Sequence, residues 1–209
     1  MEQRVKPMKR IWRACAAAAL SAAIMCPAAG AAGLTHTVVS GDTMWKLAVK
    51  YEVGTSEIIE ANRQVSNPDL IYPGQVLNIP QLDSKVLNYE AEVVRLVNEV
   101  RAENGLAPLT MNWELSRVAR YKSQDMKDKG YFSHTSPTYG TPFQMMRSFG
   151  LSYRTAGENI ARGYATPQAV MNGWMNSPSH KANILKASYK QIGVGYVAQG
   201  GYWTQEFIG

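Results

Sequence analysis

Cysteine is almost missing from this chain, and histidine is scarce. The two cysteines, Cys15 and Cys26, both lie near the N-terminus of the 209 residues. The rest of the chain therefore cannot form a disulfide or a thiolate metal site, and its stability must come from apolar burial. With three histidines in total, imidazole chemistry is restricted to a few positions.

Long apolar runs are also lacking, apart from one short stretch near the N-terminus. This stretch runs from Ala14 to Cys26, follows several basic residues and precedes the small residues of positions 28–32. A basic, then apolar, then small order is typical of a secretory signal peptide, which we predict over residues 1–31 with cleavage after residue 31 or 32. The run is about half of the roughly 20 residues that cross a bilayer. We therefore predict a secreted protein with no stable membrane anchor.

The excess of basic charge is concentrated in that same segment. The chain has a formal net charge of +6, from 22 basic and 16 acidic residues. Removal of residues 1–31 takes away five of the basic residues and one of the acidic ones, which leaves a net charge near +2. A nucleic-acid-binding protein needs a basic face or stripe, and the order of charges shows none. We predict no nucleic-acid partner.

Residues 36–80 have the pattern of a small βααβ module. Residues 36–39 are rich in β-branched side chains, as in a short strand, and a turn sequence follows them. Residues 44–51 and 55–61 carry apolar side chains at helical spacing. A returning strand is predicted at residues 76–79, after a loop punctuated by proline and glycine.

These residues resemble the LysM domain. The matching residues are Val39, Ser40, Gly41, Asp42, Thr43, Trp45, Leu47, Asn62, Asn67 to Gln75, and Leu77 to Pro80. The resemblance implies binding of glycans that contain N-acetylglucosamine, such as peptidoglycan or chitin. It implies a groove between the first strand–helix turn and the loop before the last strand, lined by Gly41, Asp42, Thr43, Met44, Leu70 and Ile71. Each glycine or proline here is also an ordinary turn residue when taken alone.

A linker is predicted at residues 81–87, and a second domain at residues 88–209. The second domain shows a helical pattern around residues 93–100, and a helix that begins after Asn112 as N-cap and ends near Gly130. Shorter helices are predicted at positions 142–149, at positions 165–174 and after Ser177. Two strands, at positions 192–197 and 202–208, flank a glycine turn. The pattern predicts an α+β domain with a small antiparallel sheet.

Three polar residues of this domain are candidates for chemistry: His134, Glu158 and His180. A lone histidine is more often structural than a ligand. Glu158 precedes an apolar strand start, where a half-buried carboxylate needs a partner such as a histidine. His180 falls at the third helical position after Ser177, where the helix N-terminus disfavours imidazolium.

The second domain resembles the cysteine-free bacterial members of the CAP superfamily. The resemblance implies an α-β-α sandwich with a cleft of two histidines and two acidic residues, in which the histidines bind zinc. It carries over to His134, Glu158 and His180, whereas Ser177 stands where many members have a second glutamate. The matching segments are Asn98, Arg101, Gly105 to Leu106, Leu109, Trp113 to Leu115, His134 to Pro137, Gly157 to Ala161, Trp174 to Pro178, His180, Ile192 to Gly195 and Tyr202 to Gln205.

Three functions remain open from the sequence. The first is a non-enzymatic protein of the cell wall or spore envelope, which binds peptidoglycan through LysM and a ligand, metal or envelope protein through the CAP cleft. The second is a wall-associated hydrolase with a zinc-bound water at His134 and His180 and Glu158 as base. The third is a lipid or sterol carrier, for which the sequence shows no extended apolar cavity.

Overall fold

The computed structural model describes residues 33–209. The signal peptide predicted for residues 1–31 lies outside the described residues. Within residues 33–209, no helix combines the length and the apolar character needed to span a membrane.

The first part of the described chain is a two-stranded sheet with two helices. Its elements are β1 (Thr35–Thr37), α1 (Met44–Tyr51), α2 (Thr55–Ala61) and β2 (Val76–Asn78). β1 and β2 pair antiparallel, with His36 opposite Leu77. The predicted βααβ order is confirmed.

Local capping explains where the two short helices begin and end. The Thr43 side chain accepts a hydrogen bond from the Lys46 amide and caps α1. α1 ends at Tyr51 and is followed by the C-cap Glu52, which has a left-handed backbone with φ of 53°. Gly54 is the N-cap of α2. Apolar side chains from both helices and from the strand segments form one small core of Val38, Met44, Leu47, Ala48, Ile58, Leu77 and Ile79.

The second part of the chain contains five helices and four strands within the described residues. In chain order these are α3 (Ser84–Glu103), β3 (Thr110–Met111), α4 (Trp113–Asp128), α5 (Pro142–Ser148), β4 (Ala156–Ala161), α6 (Pro167–Met175), α7 (Pro178–Ile184), β5 (Gln191–Val197) and β6 (Tyr202–Ile208). α3 already begins at Ser84, after the N-cap Asp83. Residues 84–87, which were predicted as linker, are therefore helical.

The sheet of the second part has four strands, in the order β3-β5-β6-β4. The predicted hairpin of β5 and β6 is confirmed as an antiparallel pair. β4 pairs antiparallel with the other edge of β6, and the two-residue β3 pairs parallel with β5. The sequence predicted the two strands of the hairpin and a strand start after Glu158, which is part of β4, but it did not predict β3 or the start of β4 at Ala156.

Helices cover both faces of this sheet. The main core joins β5 and β6 to α3, α6 and α7 through residues such as Val97, Trp174 and Ile184. On the other face, α4 lies so close to β5 that a Cβ atom at Gly193 or Gly195 would fall 2.2 Å from the α4 backbone. The alternation of side chains along β5 therefore places glycine under α4 and bulky apolar residues under the other helices. The α-β-α sandwich and the α+β class are confirmed.

Candidate functional site

The two loops of the predicted glycan groove meet at the end of β1. Val38 donates its amide hydrogen to the Gln75 carbonyl at 2.8 Å, and Gly74 donates to the Val38 carbonyl at 2.8 Å. These bonds hold the loop before β2 beside the turn that leads into α1. The structure thus brings together the two segments that carry Gly41 to Met44 and Leu70 to Ile71.

Asp42 is held by the protein itself. Its Oδ2 atom accepts a hydrogen bond from the Val39 amide at 2.9 Å and lies 2.8 Å from Nε2 of the buried His36. His36 Nδ1 lies 2.9 Å from the Tyr51 hydroxyl. The hydrogen bond from Val39, followed by that from His36, lowers the pKa of Asp42 below its ordinary value. Asp42 therefore shapes the turn.

The other predicted groove residues divide into framework and exposed surface. Gly41 has a left-handed φ of 90°, which favours glycine, and its carbonyl accepts a hydrogen bond from Lys46. Thr43 serves as the helix cap and Met44 is buried in the core. Ile71 is partly buried against that core, and Leu70 is 51% exposed.

Sequence reasoning did not assign three exposed apolar side chains of this module to the groove. Val39 is 58% exposed, Tyr72 is 59% exposed and Trp45 is 65% exposed. Val39 and Tyr72 belong to the two loops that meet at β1, and Trp45 follows Met44 in the first turn of α1. Their apolar character was visible in the sequence, but their exposure was not.

His134 and Glu158, far apart in the chain, form a hydrogen-bonded pair in the second part. His134 Nδ1 lies 2.6 Å from Glu158 Oε1. The His134 side chain is 54% exposed and that of Glu158 is 2% exposed. Glu158 lies on β4, so a carboxylate on the sheet faces an imidazole on the loop after α4. The predicted need of Glu158 for a histidine partner is confirmed.

His180 lies near this pair, on α7. Partial burial lowers the pKa of His180 below its ordinary value, and the charge of His134 lowers it further. The direction agrees with the sequence prediction, although the causes are burial and His134. Asn159 donates to the His180 carbonyl at 3.1 Å, and Asn183 donates to the Glu158 carbonyl at 3.2 Å. These two amides fix α7 against β4.

Ser177 occupies the N-cap position of α7, as predicted. Its side chain makes no capping hydrogen bond, and its hydroxyl lies 3.3 Å from that of Ser179.

Two charged residues near His134 were missed from the sequence. The buried Lys122 of α4 donates from Nζ to the Ser133 and His134 carbonyls, each at 2.8 Å. Glu206 of β6 lies directly opposite Glu158 in the strand register and is fully buried. The sequence does show Glu206 as an acidic residue in the middle of a predicted strand. It does not show that both faces of that strand are covered, which is what buries Glu206.

The sequence implied a zinc ion at His134 and His180, and the residues around them can be compared with the ligands that zinc requires. Glu158 is hydrogen-bonded to Nδ1 of His134, so it orients that ring and does not itself serve as a zinc ligand beside the histidine. Within residues 33–209, no group of three or more histidine, cysteine, aspartate or glutamate side chains is placed to hold a metal ion. Catalytic zinc sites use three protein ligands. The described residues therefore do not fit such a site.

Comparisons with known proteins cover both parts of the chain. The uncharacterized protein YkwD of Bacillus subtilis is 59% identical over 126 residues, which are 60% of this chain and 49% of YkwD. The spore coat assembly protein ExsA of Bacillus cereus is 49% identical over 45 residues, 22% of this chain and 7% of ExsA. The crystal structure of an extracellular SCP-domain protein of Bacillus anthracis has a TM-score of 0.57 at 32% identity, over 65% of this chain and 47% of that one.

The chain thus spans about half the length of YkwD and of the Bacillus anthracis protein. Residues 36–80 match the LysM domain, and their bounds agree with those predicted from the sequence. Residues 94–207, more than half of the chain, match the cysteine-rich secretory protein (CAP) family. The protein belongs to the CAP family and carries a LysM domain in front of its CAP domain.

Proposed function

We propose that this protein is an exported, non-enzymatic component of the cell envelope that binds peptidoglycan through its LysM domain. The observation that carries the proposal is the junction of the two groove loops at β1, which presents Leu70 beside tight turns. Backbone groups on such turns suit the acetamido groups of N-acetylglucosamine, and apolar side chains suit the faces of the sugar rings. The LysM match supports the glycan class.

Three observations support a proposal for the location of the protein. The sequence predicts a signal peptide, the Bacillus anthracis relative is described as extracellular, and the LysM segment resembles part of a spore coat assembly protein. We place the protein at the cell wall or the spore envelope. In that position the LysM domain would hold the CAP domain close to the wall.

The CAP cleft around His134, Glu158 and His180 has a binding role in this proposal. A wall hydrolase with zinc-bound water would need more protein ligands than His134 and His180 supply, since Glu158 is bonded to His134. The cleft offers the exposed ring of His134 beside the buried carboxylate of Glu158, with the partly buried His180 nearby. We propose that it binds a polar ligand or an envelope partner.

Sedimentation with insoluble peptidoglycan tests the glycan-binding role. We expect residues 33–209 to pellet with peptidoglycan and Leu70→Ser to bind about fivefold more weakly, because a half-exposed leucine contributes about 1 kcal/mol when a ligand covers it. Leu87→Ser is the matched control, since Leu87 is an exposed leucine on α3. Equal binding by the parent and Leu70→Ser would contradict the assigned groove.

A further inference from the structure

Two glutamates face each other across β4 and β6. Glu158 and Glu206 are register partners in this antiparallel pair, so their side chains lie on the same face of the sheet with Cβ atoms about 4.5–5.5 Å apart. Glu206 is fully buried, and the residue Glu158 as a whole, backbone included, is 7% exposed. Glu158 Oε2 and both carboxyl oxygens of Glu206 are buried without a hydrogen-bond partner among the described residues. Such atoms are costly unless a proton or a donor joins them.

The groups around this pair do not balance two negative charges. Lys122 is attracted to both glutamates, yet its Nζ hydrogens are directed at the Ser133 and His134 carbonyls. From β5, the register partner of Glu206 is Gly193, which has no side chain. The titratable groups that face the two glutamates from neighbouring elements are Lys122 of α4, and Tyr131 and His134 of the loop after it; Asp125 of α4 lies beside Lys122 and Tyr131.

Asp125 keeps its own negative charge, which hydroxyl donors stabilise. Its carboxylate accepts hydrogen bonds from the hydroxyls of Tyr131, Ser136 and Thr138. One buried lysine therefore stands against two buried glutamates. Burial raises the pKa of Glu206 well above its ordinary value, and the charge of Glu158 raises it further.

We propose that Glu158 and Glu206 share one proton and act as a carboxyl pair of single negative charge, in which Glu206 is a positioning residue for His134. The hydroxyl of protonated Glu206 donates to Glu158 Oε2. Glu158 Oε1 then accepts from His134 Nδ1–H, across the observed 2.6 Å. This chain of two hydrogen bonds fixes the His134 tautomer and leaves Nε2 as an acceptor at the exposed end of the ring.

The shared proton also reduces the cost of burying the two carboxyl groups. With one proton on the pair, the charges of Lys122 and the two glutamates sum to zero. Glu158 Oε2 gains a donor, and only one oxygen of Glu206 remains without a partner. The proposal concerns the CAP cleft and does not depend on glycan binding by the LysM domain.

The pH dependence of stability tests the shared proton. Because the pKa of Glu206 is raised in the folded state, its stabilising effect is complete below the ordinary value of 4.5 and is lost as the pH rises towards the folded value. Glu206→Gln keeps a donor and cannot ionise. Between pH 5 and pH 8 we expect the wild type to lose roughly 3–5 °C of melting temperature, relative to Glu206→Gln, for each unit by which that pKa is raised.

Glu114→Gln is the matched control, because Glu114 is an exposed carboxyl on α4. It should melt in parallel with the wild type at every pH. The infrared spectrum at pH 7 should show the carbonyl band of a protonated carboxyl group in the wild type, and this band should be missing in Glu206→Gln. The shared proton would be overturned if the melting temperatures of the wild type and Glu206→Gln changed in parallel with pH. It would also be overturned if Glu206→Gln kept the same infrared band as the wild type.

Nuclear magnetic resonance tests the positioning role separately. We expect the His134 Nδ1–H signal to be protected from exchange in the wild type and in Glu206→Gln, where Glu158 Oε2 keeps a donor. In Glu206→Leu, which removes the donor, the signal should broaden or disappear while the backbone spectrum stays folded. A folded Glu206→Leu variant with an unchanged Nδ1–H signal would show that Glu206 does not position His134.

Discussion

At the scale of single residues, Lys122 is the buried group that joins the loop of His134 to the charges beneath it. It is 1% exposed, and burial lowers its pKa below the ordinary value. Removal of one partner from a buried charged cluster costs about 3–5 kcal/mol. We expect Lys122→Met to lower the free energy of unfolding by about 3 kcal/mol, measured by urea denaturation.

The matched control for that change is Lys127→Met on the same helix. Lys127 pairs with Asp128 at the surface, and such pairs contribute about 0–1 kcal/mol. A loss for Lys122→Met no larger than for Lys127→Met would mean that the buried ammonium group does not hold the loop.

The geometry predicts that any zinc bound at His134 and His180 is held weakly. His134 and His180 are two imidazoles, and Glu158 is bonded to the back of one of them. Zinc held by only two protein ligands should be largely dissociated when free zinc is present in trace amounts. A chelator should therefore shift the melting temperature of the purified protein by less than about 1 °C. A larger shift that disappears in both His134→Ala and His180→Ala would show that the two histidines share a tightly bound metal.

The residues of the site differ in how far the sequence could reveal them. His134, Glu158 and His180 were found from the scarcity of histidine, from local context and from the family resemblance, all of which can be read without knowledge of the fold. Lys122 and Glu206 were missed because their importance depends on burial and on strand register. Glu206 meets Glu158 through a pairing between residues distant in sequence, which no local pattern encodes.

At the scale of helices and strands, prediction was most accurate where the signal is local. α1 and β6 have the predicted bounds, and α4 begins after the predicted cap Asn112. Capping residues and apolar spacing lie within a few positions of the ends that they determine. β3 was missed because two residues form a strand only by pairing with β5. The full length of β4 likewise depends on β6.

The contact between α4 and β5 leads to a prediction about glycine. A Cβ atom at Gly195 would lie 2.2 Å from the carbonyl carbon of Ala119 in α4, so backbone must move to admit it. We expect Gly195→Ala to cost about 3 kcal/mol or more in unfolding free energy, measured by thermal or chemical denaturation. Gly33→Ala is the control, since a Cβ atom there would meet nothing within 4 Å. Similar stabilities would contradict the close approach of helix and strand.

At the scale of the whole molecule, the two domains are joined by more than a short linker. Residues 33–209 form one compact unit. Arg117 of α4 in the CAP domain donates from Nε to Glu57 Oε1 at 2.6 Å, and from Nη2 to Glu57 Oε2 at 2.9 Å. It also donates to the Ser56 hydroxyl at 2.8 Å. Both side chains of the ion pair are less than a third exposed. The α2 end of the LysM domain is therefore bound to the CAP domain by a two-point ion pair.

This ion pair should restrict motion between the domains without contributing to the glycan groove. Planar, bidentate pairs of arginine and carboxylate have a defined geometry, and the groove residues Gly41 and Leu70 belong to other loops. We expect Arg117→Gln to increase the radius of gyration of residues 33–209 in small-angle X-ray scattering, while peptidoglycan binding stays within about twofold of the parent. Arg95→Gln, which breaks exposed pairs within α3, should leave the radius unchanged. An unchanged radius for Arg117→Gln would show that other contacts fix the domains. A strong loss of glycan binding in that variant would instead show that the LysM groove depends on its attachment to the CAP domain.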